Sequence, residues 1–214
     1  MREIDKRIIT SIILLILLYF SIINQFVLIV ILFLINVELF HEFYSILNKI
    51  YLKKKSKFYF LQFIILIYLT FLVSIIFNVL TLETIENKIF LLMIISICIF
   101  SDIGGYIFGK ILGGKKLTKI SPNKTISGAY GSYILSLLFI CFIFNNYFNF
   151  KELILFTIVI STISQLGDLS ISYLKRKAKI KDTGNFLPGH GGLLDRFDGL
   201  IFAIPLGQII FYLT

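Results

Sequence analysis

The sequence predicts an all-α, polytopic integral membrane protein with about seven transmembrane helices and cytoplasmic polar loops forming its site. Three observations lead there. Hydrophobic residues make up 57% of the 214 residues and charged residues only 15%, whereas soluble domains carry roughly 45–50% apolar residues. The apolar residues are gathered into long runs, and backbone in lipid must satisfy its own hydrogen bonds, which favours helices over open strands. The basic residues, finally, are confined to alternate loops between those runs.

The runs, in order, are 8–23, 26–40, 58–79, 89–109, 129–145, 152–174 and 199–214. The first follows Arg2, Lys6 and Arg7, as a signal peptide would. Its apolar stretch is longer than a typical signal core, no small-residue cleavage site follows, and a second run begins at once, so it is expected to be an uncleaved span. With a cytoplasmic N-terminus, all of the 21 Lys and Arg residues except Lys88 and Lys151 fall on the cytoplasmic side. The formal charge of +9 is therefore a topology signal before it is a binding surface, and no nucleic-acid partner is expected. The KKKSK run at 53–57 suits either anionic headgroups or a stop-transfer and orientation signal. Cys98 and Cys141 lie in apolar runs without CxxC spacing and read as buried small hydrophobes, not as a disulfide or a zinc site.

Carboxylates at a span end are costly and call for a partner or a function. The candidates are Glu38, Glu42, Asp102, Asp168, Asp195 and Asp198. On a helix, Asp168, Ser172 and Lys175 follow at i, i+4 and i+7 and form one polar stripe that should face a cavity or a neighbouring helix. Asp195 and Asp198 stand at i and i+3. A helix starting there would present paired carboxylates beside Lys and Arg, a donor set suited to a hard divalent cation holding phosphates. The alternative is that Asp195 caps the last helix while Asp198 and Arg196 form surface salt bridges.

Two loops share residues suited to phosphate. Gly109 to Ser132 combines glycines with Lys115, Lys116, Lys119 and Lys124 and the hydroxyls of Ser121 and Thr125; it lacks the GxxxxGK[ST] of a P-loop. Lys181 to Asp198, KDTGNFLPGHGGLLDRFD, adds His190 between two glycines. With only His41 elsewhere, a histidine-rich metal site has no support.

Ser172 to Asp198, SYLKRKAKIKDTGNFLPGHGGLLDRFD, resembles the C-terminal signature of the phosphatidate cytidylyltransferases, or CDP-diacylglycerol synthases. Its fixed positions are filled by Ser172, Lys175, Arg176, Lys181, Asp182, Gly184, Pro188, His190, Gly191, Gly192, Asp195, Arg196 and Asp198. SDIGGYIFGKILGGKKLTKISPNKT is similar to the family's second region, and ELFHEF, with Glu42, is a weaker echo of an acidic-aromatic element. Ser127 and Ile171 depart from the family pattern, which has an acidic or amide residue and a Glu at those positions.

The resemblance implies a single integral membrane domain over 1–214, with N-terminal membrane helices at 1–99, a catalytic region at 100–199 and a last helix at 200–214. It implies CMP transfer from CTP to phosphatidate among membrane lipids, at a site facing the cytoplasm of a bacterial inner membrane. Magnesium would be held by Asp168, Asp195 and Asp198, with a second cation such as K+. Lys175, Arg176, Lys181 and Arg196 would hold phosphate oxygens, joined by Ser121, Lys124, Thr125 and Ser172. Asp182 belongs to the same catalytic set, and His190 would orient a phosphate or relay a proton. A homodimer is also implied. The rival readings are a CTP-dependent polyprenol-type lipid kinase, a transporter whose acids serve as ion sites, and a relative that has lost activity.

Overall fold

In a computed structural model of the chain, the structure describes residues 12, 16–17, 19–21, 23–184, 186 and 191–213. Its helices are α1 (Gln25–Tyr51), α2 (Lys55–Thr81), α3 (Ile85–Leu112), α4 (Ile126–Phe144), α5 (Phe150–Lys177), α6 (Leu194–Phe197) and α7 (Leu200–Leu213). Five of them, α1 to α5, are long and apolar enough to cross a membrane. They contain the predicted runs from 26–40 to 152–174 almost entirely, and 199–214 becomes α7. At 14 residues α7 is about 21 Å long, short of the roughly 30 Å of a hydrocarbon core. The predicted span 8–23 lies mostly outside the described residues. Among those residues there is no strand; Lys116 and Thr125 form an isolated antiparallel bridge.

The chain divides into two compact units, Met1–Leu82 with Leu174–Phe197, and Glu83–Tyr173 with Asp198–Thr214. In the first, α1 and α2 form a helical hairpin through the short turn 52–54. The Asn24 side chain caps α1, accepting from Phe26 N at 2.9 Å, and so satisfies one of the donors that open a helix. Leu39, Ile46 and Leu69 are fully buried, whereas Phe33, Phe63 and Ile67 are exposed. An apolar exterior of this kind suits lipid as the surrounding medium.

The end of α5 also belongs to the first unit. Ile180 N donates to Lys175 O at 3.0 Å and Lys179 N to Arg176 O at 3.1 Å, the paired bonds of a Schellman cap. That cap needs a left-handed residue, and here Lys179 supplies it at φ 57°, where a Cβ is strained.

In the second unit, α3 and α4 approach through a seam of small residues. A Cβ added at Gly104 would lie 2.9 Å from the Gly131 carbonyl carbon, and one at Gly128 would lie 2.7 Å from Gly105 O. Such close backbone contact is how helices associate where lipid supplies no hydrophobic drive. Hydroxyls bind the seam to α5. Ser132 donates to Ser101 O at 2.6 Å, Ser101 and Ser161 share a hydrogen bond of 2.9 Å, and so do Tyr133 and Thr162. At the other end of α3, Phe90 stacks on Phe211 at 4.2 Å and meets Phe156 edge-on at 5.0 Å, anchoring α7.

Replacing Lys179 by Gly removes the strained Cβ while keeping both capping bonds. Lys179→Gly is expected to stabilise the protein by about 1 kcal/mol, raising the apparent melting midpoint in detergent by about 2–4 °C. An unchanged or lower midpoint would contradict the cap as described.

Candidate active site

The second unit builds its site on the loop between α3 and α4. Gly113 and Gly114, at φ 59° and 106°, turn the chain sharply out of α3 in conformations that glycine adopts freely. The loop then runs back on itself: Leu117 N donates to Lys124 O at 2.8 Å and Ile126 N to Lys115 O at 3.0 Å. Its tip is the turn Ser121–Pro122–Asn123–Lys124, closed by Lys124 N to Ser121 O at 3.1 Å, with Pro122 at the position its fixed φ suits. A polar relay closes the neck. Gly128 N donates to Thr125 Oγ1 at 3.1 Å, Thr125 and Ser127 share a 3.0 Å bond, and Ser127 Oγ donates to Gly113 O.

This geometry presents Lys124 to α5, where its ammonium pairs with Asp168. The two border a cavity of about 390 Å³ whose lining includes Asp102, Ser121, Asn123, Thr125 and Gln165. Ser172 Oγ donates to Asp168 Oδ1 at 3.3 Å; Lys175, the third residue of the expected stripe, belongs to the first unit. Asp168 also accepts from the carboxyl of Asp198. Burial, the charge of Asp168 and that hydrogen bond push Asp198 up to about 8, with a further contribution from Asp102 and opposition from the Gly199 N–H. Asp198 is thus biased toward its protonated form, and Lys124 sets a positive charge against Asp168. Gly167 makes this approach possible, since a Cβ there would lie 2.9 Å from Asp198 O and 2.7 Å from the Phe202 ring.

A second carboxylate cluster belongs to the first unit. Asp195 accepts from Lys175 Nζ at 2.7 Å, from Thr183 N at 2.8 Å and from Gly192 N at 3.3 Å. Burial raises its carboxyl, but the hydrogen bonds from Lys175 and Thr183 and the Lys175 charge outweigh burial and hold it below the usual value of 3.8. Beside it Glu42, only 1% exposed, accepts from Thr183 Oγ1 at 2.5 Å, Leu193 N at 2.7 Å and Leu194 N at 2.8 Å. Thr183 Oγ1 also lies 3.1 Å from Asp195 Oδ2, so one hydroxyl links the two acids.

Of the residues singled out from sequence, Ser121, Lys124, Thr125 and Asp168 line one cavity, and Ser172 and Asp198, in the same unit, meet Asp168. Lys175 and Asp195 form a pair in the other. Arg176, Lys181, Asp182 and Arg196 are exposed in that same unit, and His190 lies outside the described residues. The helix expected to carry both Asp195 and Asp198 stops at Phe197, and a turn at 198–199 follows. Ser127, where the family pattern differs, has become part of the loop neck, and Ile171 is a buried packing residue. Sequence reasoning left Asp102 without a role although it had been marked as a span-end acid. It missed Thr183 altogether.

Among the described residues no group of three or more His, Cys, Asp or Glu side chains is arranged to hold a metal ion. Asp168 and Asp198 nonetheless bring two hard oxygen donors together. That fits magnesium, which commonly takes one or two carboxylates and completes its shell with water and substrate phosphates.

Helices long and apolar enough to cross a membrane, with a cavity lined by lysine, hydroxyls and carboxyls, define an apolar helical class of protein. Within that class, the chain belongs to the cytidylyltransferase family, whose model matches residues 2–214. It is 43% identical over 133 residues to a phosphatidate cytidylyltransferase of Staphylococcus epidermidis, covering 60% of this chain and 51% of that protein. Proteins of the same name from Staphylococcus haemolyticus and Staphylococcus aureus are 47% and 46% identical over 114 residues, covering 51% of this chain and 44% of each relative. The aligned segments thus span about half the length of these relatives.

Glu42→Ala would leave the buried N–H groups of Leu193 and Leu194 without an acceptor, at about 1–3 kcal/mol each. The apparent melting midpoint should fall by several degrees, and less in Glu42→Gln, which keeps one acceptor; equal midpoints for wild type and Glu42→Ala would refute the cradle. Asp195 supports a separate expectation. Its folded pKa is depressed, so its contribution to stability is complete above pH 3.8 and is lost as pH falls through the folded value. A midpoint-versus-pH series should therefore show a shallower acid limb for Asp195→Asn than for wild type.

Proposed function

We propose that the chain transfers CMP from CTP to phosphatidate, giving CDP-diacylglycerol and pyrophosphate, at the cytoplasmic face of a bacterial inner membrane. The observation that carries this reading is the Lys124–Asp168–Asp198 cluster beside a hydroxyl-lined cavity, in a chain that belongs to the cytidylyltransferase family. The segregation of basic residues supports the cytoplasmic orientation.

In the reaction a phosphate oxygen of the lipid attacks the α-phosphorus of CTP. The new oxygen–phosphorus bond forms as the α–β bridging bond breaks, and pyrophosphate leaves with its electron pair. The nucleophile is already an anion, so no strong base is required. The obstacle is repulsion, about 4 kcal/mol per charge pair at 4 Å near a protein surface. Asp168 and Asp198 would hold magnesium, which when bound neutralises phosphate charge and orients the reacting groups. Ser172 fixes the orientation of Asp168. Lys124, standing on that carboxylate, is placed to turn to a phosphate, while Ser121 and Thr125 offer hydroxyl donors from the loop.

Asp195 holds Lys175 in position, and is a positioning residue in this reading. The roles of Arg176, Lys181, Asp182, His190 and Arg196, the second cation such as K+, and the homodimer rest on the family signature.

The test is product analysis with labelled CTP, phosphatidate and magnesium in detergent. Wild type should release pyrophosphate and cytosine-containing lipid in equal amounts. Asp168→Ala and Asp198→Ala should each lower that turnover by roughly a hundredfold or more with helix content intact. Phosphorylated lipid without cytosine would favour a CTP-dependent kinase, and near-normal turnover in both variants would remove the metal assignment.

A further inference from the structure

The first unit carries a concentration of cations beyond the Arg176 and Lys181 that the family signature assigns to the reaction. Lys49 lies in the last turn of α1, and Lys53, Lys54, Lys55 and Lys57 follow across the turn into α2, all exposed. A second basic run, Arg176, Lys177, Lys179 and Lys181, leaves the end of α5 and is also exposed. The two runs are more than a hundred residues apart in the chain, yet Lys177 Nζ stands 5.5 Å from the centre of the Tyr51 ring. This cation–π contact joins the last residue of α1 to the last residue of α5.

Little offsets this charge. Of the described carboxylates in the first unit, Glu42 is buried in its cradle, Asp195 is paired with Lys175, and Glu38 is 13 residues before the end of α1, about 20 Å along the helix. Only Asp182 is exposed within the runs. Apolar side chains flank the cations at the same helix ends, with Leu52 68% exposed, Tyr59 66% and Phe60 65%.

From this arrangement we infer that the joined basic runs form a docking surface for the anionic headgroups of the surrounding bilayer. An orientation signal needs only the number of positive charges on one side. It does not need two distant runs brought together by Lys177 and Tyr51. Leu52, Tyr59 and Phe60 point to lipid instead of a soluble anion, because they seat the surface at the boundary between headgroups and acyl chains while lysine stems extend to the phosphates. The inference stands without the proposed reaction. If that reaction holds, the surface would also enrich its anionic lipid substrate near the protein.

The experiment compares spin-labelled phosphatidylglycerol with spin-labelled phosphatidylcholine around the full chain in nanodiscs. At low salt the motionally restricted fraction should favour phosphatidylglycerol by roughly fivefold or more, as expected for even one lysine near a phosphate surface. Sodium chloride should lower this preference, since exposed charges are screened over about 8 Å at physiological salt. The Lys53→Gln, Lys54→Gln, Lys55→Gln, Lys57→Gln variant should lose most of it while retaining helix content. Equal restriction of the two lipids at low salt, or a preference indifferent to salt, overturns the inference. So does wild-type preference in the folded variant, which would leave the lysines as an orientation signal. If the variant does not fold, the wild-type salt series decides alone. Inorganic phosphate displacing the labelled lipid beyond sodium chloride at equal ionic strength would assign the surface to a soluble anion and also overturn it.

Discussion

A carboxylate among apolar helices is tolerable only when something neutralises it, and the second unit answers this at Asp168 in three ways. Lys124 brings a countercharge, Ser172 brings a hydroxyl, and Asp198 brings a proton that its own burial keeps in place. The cluster carries little net charge as it stands, yet each of the three can be exchanged for another positive or hydrogen-bonding group. Isolated charges in a low-dielectric setting move their pKa or find partners. The rest of the unit serves this point. The glycine seam brings α3 and α4 together, the hydroxyls tie both to α5, and Gly167 admits the turn that carries Asp198.

The first unit handles charge differently. Glu42 and Asp195 are saturated with donors from backbone, Thr183 and Lys175. Removing one partner from such a network leaves a buried group unsatisfied, and this cost holds Thr183, Leu193 and Leu194 against Glu42. The same signature therefore contains carboxylates of two kinds. Asp198 is biased toward its protonated form beside another acid, whereas Asp195 is held low by its hydrogen-bond donors and the Lys175 charge.

Much of this was legible in the residues, but unevenly. Hydropathy located α1 to α5 because length and apolarity are what lipid demands. The link between Asp168 and Ser172 was legible in their i, i+4 spacing. The joint role expected for Asp195 and Asp198 rested on one helix through both; the helix ends at Phe197 and a turn carries Asp198. Glu42 was conspicuous as an acid in an apolar run, but its partners lie 141 to 152 residues away, beyond any local pattern. Thr183 had no signal at all, since a threonine in a polar loop is ordinary until the acids on either side are known.

The neck of the loop between α3 and α4 has a consequence for its tip. The Lys116–Thr125 bridge and the hydroxyl relay from Thr125 through Ser127 to Gly113 fasten the loop where it leaves the helices. A segment secured at its base is a cassette: residues between Leu117 and Asn123 can change in size and chemistry without disturbing the packing of α3 against α4. Ser127 serves as the clasp. A change at the tip would therefore alter what the loop presents to the cavity while leaving the glycine seam in place.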